Sequence, residues 1–352
     1  MCYLRRKNFL RKNPNKVYYL DHVEAMKIIQ DRAENIYITE PLSLTIGNFD
    51  GLHLGHQAII KKCIHIGRLN NSATAVLTFL PPTSRIAKES GVKGNNIYTQ
   101  KHKICLLSHY DIDYLIIVLT DKNFLSILPK TFVLNFLRKQ INCTFLTTGA
   151  NFRFGKDRGG DQILLKNMAK QHDFFYHTVT LLKKDNYNIS SSIIRNLLEH
   201  GRIRQANCLL GSRYRILGCV ETGQGIAGDN IGFKTANISL EKDMCLPLYG
   251  VYYVQVYVKI RNSYNKYYGI ANLGIKPTLS SRINPLLEVH LLNFDFNIYK
   301  KYILIKFISF IRPERVFIDL PSLQAQINKD IQTLKFLVSE NLSFEKDLER
   351  HF

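Results

Sequence analysis

The chain has 352 residues, enough for two domains that each bury a core of their own. Hydrophobic residues make up 45% and charged residues 22%, as in globular proteins, and no apolar run approaches the ~18 residues of a membrane span. The 7 cysteines occur singly and form no CxxC pair, which argues against a disulfide framework and against a zinc site.

The formal net charge of +20 is compatible with three kinds of partner: nucleic acid, an anionic membrane surface or anionic small substrates. The lysines are dispersed and no nucleic-acid-binding motif accompanies them, so we expect neither nucleic acid nor membrane as a partner. The basic start around Arg5 is not followed by an apolar segment with a small-residue cleavage site. We therefore predict no signal peptide and a cytoplasmic location.

In the first half of the chain, apolar strand-like runs alternate with amphipathic helical patterns. The predicted strands lie near residues 42–48, 74–80, 114–119, 144–148 and 174–181, and the predicted helices near residues 56–66, 100–109, 130–139 and 161–171. This alternation predicts βαβ units, and hence a parallel sheet covered by helices on both faces. Ligands of such sheets bind beyond the carboxyl ends of the strands.

The first predicted strand runs into a turn that contains Gly47, Gly51 and Gly55 together with two histidines, His53 and His56. Glycines allow close backbone approach, and the helix start that follows favours an anion. Imidazoles at i and i+3 could both donate hydrogen bonds to a phosphate on which charge builds up during phosphoryl or nucleotidyl transfer. The glycine spacing matches neither a P-loop nor the dinucleotide fingerprint.

Two later segments also carry polar groups after a strand. In residues 148–161, Asn151 could hydrogen-bond a base or ribose, and Phe152 and Phe154 suit a stacking surface for a flat ring. In residues 189–201, serines precede a helical pattern, with Arg195 one turn in. Serines at a helix start are ordinary N-caps, and with an arginine they also describe a triphosphate clamp.

From residue 214 onward the pattern changes to successive strands followed by a final helix that begins near Ser322. The strands are predicted near residues 214–221, 250–260, 267–273, 286–294 and 302–310, which predicts an antiparallel sheet, sandwich or barrel. Thr235 and Asn237 are two apart on an extended segment and present the hard oxygen ligands that suit Mg²⁺. Glu288 is a carboxylate on an otherwise apolar strand, which by itself is typical of an ordinary exposed strand glutamate.

Several of these motifs resemble those of one family. Residues 53–56 are similar to the HxGH signature of nucleotidyltransferases, and with residues 47–51 they resemble the bacterial bifunctional riboflavin kinase/FMN adenylyltransferase family. Residues 148–161 resemble that family's G-x-x-F-x-F-G-x-x-x-x-G-D motif, and residues 190–195 its serine-rich signature. Residues 232–237 are similar to its G-x-P-T-A-N flavokinase signature.

The resemblance implies an α/β Rossmann-like nucleotidyltransferase domain at residues 16–185, a helical connector at 186–212 and a riboflavin kinase-like antiparallel β-barrel with a terminal helix at 213–340. It implies phosphorylation of riboflavin to FMN in the barrel and adenylylation of FMN to FAD and pyrophosphate in the first domain. ATP with Mg²⁺ serves both reactions, riboflavin and FMN are the other substrates, and a monomer or weak homo-oligomer is expected.

The resemblance also implies roles for individual residues. For adenylyl transfer it implies catalytic His53 and His56 and an ATP site formed by Gly47, Phe49, Asp50, Gly55, Asn151, Ser190, Ser191, Ser192 and Arg195. For the kinase it implies Glu288 as the base, Mg²⁺ on Thr235 and Asn237, and binding of ATP or flavin by Gly223, Gly225, Gly232 and Arg312.

The chain departs from the family pattern at three places. A family histidine is missing at Pro82, Lys234 replaces the signature proline, and Asp229 stands where an arginine is usual. Two alternatives therefore stay open: a single-activity FAD synthetase with a degenerate, flavin-binding kinase domain, and, from the charge alone, a non-enzymatic nucleic-acid-binding protein. An adenylyltransferase for pantetheine phosphate or nicotinamide mononucleotide is disfavoured, because neither reaction needs a second domain.

Overall fold

A computed structural model of the chain describes residues 26–81, 96–180, 182–184, 187–221, 235–241, 244–261, 263–276, 284–315, 318–319, 321–322 and 324–334. The predicted residues Pro82, Gly223, Gly225, Asp229, Gly232 and Lys234 lie outside these ranges.

The first half forms a six-stranded parallel sheet, as the alternation of strands and helices predicts. Its strands are β1 (Lys27–Arg32), β2 (Leu42–Ile46), β3 (Ala73–Leu80), β4 (Tyr114–Leu119), β5 (Cys143–Gly149) and β6 (Phe175–Val179), in the order β1-β4-β3-β2-β5-β6. After β2 the chain places β3 on one side of that strand, and it later returns to place β5 on the other side of β2. The carboxyl ends of β2 and β5 therefore flank the point where the strand order reverses, which is where ligands bind in open α/β sheets.

The helices are α1 (Leu54–Leu69), α2 (Gln100–Leu107), α3 (Lys122–Leu125), α4 (Pro129–Thr131, continued by a π-helix at Phe132–Gln140), α5 (Gln162–Gln171), α6 (Ser191–Glu199), α7 (Ile203–Leu210) and α8 (residues 324–334). One face of the sheet packs against the π-helix and α5, and the other against α1 and α2. All five residues of β2 are buried, because helices cover both faces of this central strand.

Strand β1 is an element that the sequence pattern does not predict. Its residues are exposed or half-buried, and among the described residues it pairs only with β4, at the edge of the sheet. A polar edge strand carries little hydrophobic periodicity, because neither of its faces is fully covered. The motif-bearing strand β2 is consequently second in the chain and central in the sheet.

The second half forms a closed barrel with the order β10-β13-β12-β11-β14-β9. Its strands are β9 (Arg215–Glu221), β10 (Thr235–Ile238), β11 (Gly250–Ile260), β12 (Ser263–Lys276), β13 (Asn284–Leu291) and β14 (Tyr302–Pro313), and a two-stranded sheet of β7 (Lys183–Lys184) and β8 (Tyr187–Asn188) precedes it. Every pairing in the barrel is antiparallel. The predicted α/β domain followed by an antiparallel β-barrel and a terminal helix is confirmed.

Helices α6 and α7 share one hydrophobic core with the barrel. Leu198 and Leu209 belong to the same buried cluster as Val256 and Leu287. At the other side of the barrel, α8 covers the outer face, where Leu334 is fully buried against Tyr253 and Ile270. The connector is therefore attached to the barrel, and the domain bounds given above stay a prediction. Within the described ranges, the structure has no helix with the length and apolar character needed to cross a membrane.

Candidate functional sites

The turn between β2 and α1 has an unusual backbone. Phe49 (φ 46°), Gly51 (φ 79°) and Leu52 (φ 45°) all lie in the left-handed region, which non-glycine residues rarely adopt. The Phe49 ring is 1% exposed, and a Cβ added at Gly47 would lie 3.3 Å from that ring. The buried aromatic ring thus anchors the turn in a conformation that would otherwise cost roughly 1–3 kcal/mol at each of its non-glycine residues Phe49 and Leu52. Such strain is typical of binding turns.

His53 is the N-cap of α1. Its Nδ1 accepts a hydrogen bond from the backbone N–H of His56 at 3.3 Å, so the proton of the neutral ring is on Nε2. Gly55 makes room for this arrangement, because a Cβ there would lie 3.2 Å from the His53 ring. The cap therefore fixes both the orientation and the tautomer of His53, and leaves Nε2–H as its donor.

His56 stacks on His53, with ring centroids 3.6 Å apart and an interplanar angle of 16°. Burial lowers the pKa of His53 to about 4 and holds the pKa of His56 well below its ordinary value. Both rings are consequently neutral at physiological pH. Each can donate one N–H to a phosphate oxygen, and neither supplies positive charge in the free protein.

We expect nitrogen-15 NMR of the histidine-labelled protein to show this tautomer directly. His53 should be neutral with its proton on Nε2 at pH 7 and should gain a second proton only near pH 4, because burial disfavours the imidazolium. His65, exposed on the same helix, provides the internal comparison. A His53 ring that is protonated on both nitrogens at pH 6 would contradict the capped, neutral geometry.

Asp50 links this turn to helix α6. Its buried carboxylate accepts hydrogen bonds from the backbone N–H of Ile97 at 2.8 Å and from Nη2 of Arg195 at 3.0 Å. Burial raises the pKa of Asp50, while the Arg195 guanidinium opposes that shift. The Ser191 hydroxyl donates to the Asp50 carbonyl oxygen at 2.9 Å. The predicted residues Asp50, Ser191 and Arg195 thus meet, although they are far apart in the sequence.

Helix α6 begins with an ordinary serine N-cap. The Ser190 hydroxyl accepts a hydrogen bond from the backbone N–H of Ile193 at 3.4 Å, and Ser192 is exposed. One nitrogen of Arg195, Nε, is buried and has no hydrogen-bond partner among the described residues. A buried donor of this kind is available to an anionic ligand.

Lys103 is a member of this cluster that sequence reasoning missed. Its Nζ donates to the Asn48 carbonyl oxygen and to the Thr78 hydroxyl, both at 3.1 Å, and the residue is 7% exposed. Burial lowers the pKa of Lys103 to about 8. A lysine in an amphipathic helix is expected on the solvent side. The sequence therefore carries no signal that this side chain reaches under the turn.

The glycine-rich segment after β5 is only partly as predicted. Asn151 folds back over Gly149, where a Cβ would lie 3.3 Å from its Oδ1. Phe154 is 6% exposed and stacks with Phe152 at 5.6 Å in the core of the parallel-sheet domain. The expectation of a ring-stacking surface is wrong for Phe154, because packing against Phe132 of the π-helix buries it. Asp161 caps α5 by accepting from two backbone N–H groups, each at 3.0 Å.

Three of the predicted kinase residues meet on the outer face of the barrel. Asn237 on β10 lies directly opposite Glu288 on β13, and Thr235 lies opposite His290. Directly opposed side chains on one face of an antiparallel pair have Cβ atoms ~5 Å apart. The neighbouring Ala236 and Val289 point into the barrel core instead. Alternation along two paired strands therefore brings Thr235, Asn237 and Glu288 together.

Two further polar residues of this face were not singled out from the sequence. Asn272 on β12 lies opposite Glu288, and Glu221 on β9 lies opposite Asn237. Glu288 is thus flanked by an asparagine on each side. The cross-strand register depends on long-range pairing, which is why the sequence alone does not reveal these neighbours.

The residues on this face fit a magnesium ion. The Oδ1 atom of Asn237 is buried and has no hydrogen-bond partner among the described residues. An orphaned amide oxygen beside a hydroxyl and a carboxylate is the hard-oxygen donor set that Mg²⁺ prefers. Thr235 and Asn237 would supply oxygens to the ion, with the Glu288 carboxylate on the strand opposite Asn237.

Arg312, predicted to bind ATP or flavin, faces α8. Its Nη2 lies 2.7 Å from Oδ2 of Asp330 and its Nε 3.0 Å from Oδ1, in a bidentate pair with a carboxylate that is 4% exposed. Gln326 donates to the same carboxylate at 2.9 Å. The guanidinium therefore fastens the terminal helix to β14.

Comparisons with known proteins match both halves of the chain. A family model for FAD synthetase matches residues 36–193, and a family model for riboflavin kinase matches residues 210–338. A crystal structure described as that of a macrolide-efflux protein from Streptococcus pneumoniae superposes with a TM-score of 0.77 at 24% identity and covers 88% of this chain and 98% of its own. At that identity the likeness shows the fold alone.

Curated relatives named bifunctional riboflavin kinase/FMN adenylyltransferase cover most of the chain. The protein of Buchnera aphidicola subsp. Schizaphis graminum is 37% identical over 88% of this chain and 98% of its own. That of Haemophilus influenzae is 34% identical with the same coverage, and that of Escherichia coli K12 is 33% identical over 83% of this chain and 91% of its own. This chain therefore belongs to the bifunctional riboflavin kinase/FMN adenylyltransferase family.

Proposed function

We propose that the protein makes FAD from riboflavin in two ATP-dependent steps at two separate sites. The barrel transfers the γ-phosphoryl group of ATP to riboflavin, which gives FMN and ADP. The parallel-sheet domain joins FMN to the AMP part of a second ATP, which gives FAD and pyrophosphate. The observation that carries the proposal is the stacked, neutral pair His53 and His56 at the switch point of the sheet.

In the adenylyl transfer, an oxygen of the FMN phosphate attacks the α-phosphorus of ATP, and the bond to the bridging oxygen of pyrophosphate breaks. No nucleophile from the protein is required. Nε2–H of His53 and an N–H of His56 donate to phosphate oxygens as charge develops on them. The unpartnered Nε of Arg195 offers a further donor, and the α6 start lies against the turn through Ser191.

In the kinase reaction, the Glu288 carboxylate takes the proton of the terminal ribityl hydroxyl, whose oxygen then attacks the γ-phosphorus of ATP. Mg²⁺ held by Thr235 and Asn237 would neutralise charge on the ATP phosphates. Asn237 and Asn272 lie directly opposite Glu288 on the two neighbouring strands, where their amides can orient the carboxylate. Because both residues lie across short, regular strand pairings, the site is built on a rigid scaffold.

We further propose that ATP contacts the residues predicted around the first site, including Gly47, Asn151 and Ser190. We also propose a cytoplasmic enzyme that is a monomer or weak homo-oligomer, and the dispersed charge favours a protein that binds no nucleic acid. The alternative, an FAD synthetase with a degenerate kinase barrel, is not favoured, because Glu288, Asn237 and Thr235 share one face of an intact barrel.

Product analysis of the purified protein tests this function. With riboflavin, ATP and Mg²⁺ we expect FMN, FAD, ADP and pyrophosphate, and with FMN in place of riboflavin we expect FAD and pyrophosphate without ADP. FAD from FMN together with no FMN from riboflavin would support the single-activity alternative. Absence of both products under these conditions would overturn the proposal.

A further inference from the structure

The side chain of Lys103 is unusual because it is a cation buried inside the adenylyl-transfer domain. Lysines are almost never fully buried unless they are paired, and burial of an ammonium group is costly. Here the two groups that accept its hydrogen bonds, the Asn48 carbonyl and the Thr78 hydroxyl, are neutral. A methionine would fill the same space at lower cost, so the cation calls for a functional explanation.

The position of Lys103 ties it to the phosphate-binding turn. Asn48 immediately precedes the left-handed residue Phe49, and its carbonyl oxygen receives hydrogen bonds from both Lys103 and Thr78, the latter at 3.3 Å. Thr78 lies near the carboxyl end of β3, next to β2 in the sheet. The ammonium group therefore lies beneath the turn at the ligand-binding edge of the sheet.

The charges around Lys103 leave an excess of positive charge. Asp50 on the turn and the neutral His56 on α1 face Lys103. The guanidinium of Arg195, on α6, binds the same Asp50. The charge of Lys103 lowers the pKa of both His56 and Asp50, which places it within electrostatic range of each. The Asp50 carboxylate is thus shared by two cations, Lys103 and Arg195, and the remaining positive charge favours an anionic ligand.

We propose that Lys103 is a positioning residue for adenylyl transfer: it pins the turn through Asn48 and Thr78, and its charge favours the triphosphate that the neutral histidines contact. This inference rests on the proposed function of the first site. The ammonium form acts in both ways, whereas the neutral amine keeps N–H donors for the turn but loses the charge that favours the triphosphate. FAD formation should therefore decline as the pH rises through about 8, the value to which burial lowers the pKa of Lys103.

The experiment compares Lys103→Met, Lys103→Arg and the control Lys61→Met, which changes an exposed lysine of α1. FAD formation from FMN and FMN formation from riboflavin are measured between pH 6.5 and 9.5, with kcat and KM for ATP separated. We expect Lys103→Met to lose about tenfold to 100-fold in kcat/KM for FAD formation and to lose the decline near pH 8. Lys103→Arg, which stays charged, should keep part of the activity and extend it to higher pH.

Each outcome decides the inference. A Lys103→Met enzyme that forms FAD within about threefold of the unchanged protein and keeps its decline near pH 8 overturns it. Equal losses of FMN and FAD formation in Lys103→Met, with a lowered thermal midpoint, would show a structural role only and also overturn it. The His53→Ala/His56→Ala variant distinguishes failure of the proposed site from failure of the role of Lys103. If this double variant still makes FAD, the proposed adenylyl-transfer site is wrong. If the double variant loses FAD formation while Lys103→Met stays active, only the role of Lys103 is refuted.

Discussion

Replacing both His53 and His56 with alanine is expected to lower FAD formation from FMN at least about 100-fold and to leave FMN formation from riboflavin within about twofold. The two rings supply the donors nearest to the helix start, and loss of one preorganised donor typically costs about 100-fold or more in rate. The barrel lies in a different domain, and neither histidine belongs to the buried cluster that contains the barrel core, so its reaction should not depend on them. The measurement is chromatographic separation of FMN and FAD over time.

Because His53 also caps α1, its removal has a structural cost of ~1 kcal/mol that must be distinguished from the catalytic effect. His53→Asn keeps a side-chain acceptor for the cap and removes the imidazole, and it should lose FAD formation with little change in thermal midpoint. His65→Ala, on the exposed side of the same helix, serves as the control. Loss of both activities in the double variant would contradict the assignment of two sites.

Glu288→Gln is expected to lower FMN formation from riboflavin at least about 100-fold, because general-base catalysis contributes about 100-fold to 10⁴-fold. Glutamine has the shape of glutamate, so the pairing of β13 with β10 and β12 should persist. FAD formation from supplied FMN should stay within about twofold. Initial rates with each flavin, measured on the same preparation, check both statements.

Glu241→Gln, at an exposed position shortly after β10, is the matched control and should leave both rates unchanged. A Glu288→Gln enzyme that still phosphorylates riboflavin at the original rate would show that another group takes the proton. Glu221, opposite Asn237 on the neighbouring strand, would then be the next residue to replace.

Features encoded locally could be predicted from the sequence. The apolar residues Leu42, Leu44 and Ile46 alternate along β2, which is typical of a strand, and the glycines and histidines that follow it are close together in the chain. The barrel strands alternate between core and surface, so Glu288 stands out among apolar neighbours. Both predictions depend on patterns a few residues long.

Features that depend on distant pairing could not be predicted. The carboxylate of Asp50 meets Arg195 from a helix that begins more than a hundred residues later, and Lys103 reaches Asn48 from α2. Phe154 is drawn into the core by the π-helix, although its motif suggests a surface. Strand β1 has a polar, edge-strand sequence that no periodicity rule detects. In each case a tertiary contact decides what the local pattern leaves open.

The most direct test of two independent sites is complementation in a mixture of the two variants, each supplied with riboflavin, ATP and Mg²⁺. His53→Ala/His56→Ala alone should accumulate FMN, Glu288→Gln alone should make almost no flavin product, and the mixture should make FAD through released FMN. A mixture that accumulates FMN without FAD, or a single variant that makes FAD from riboflavin at the original rate, would contradict the account.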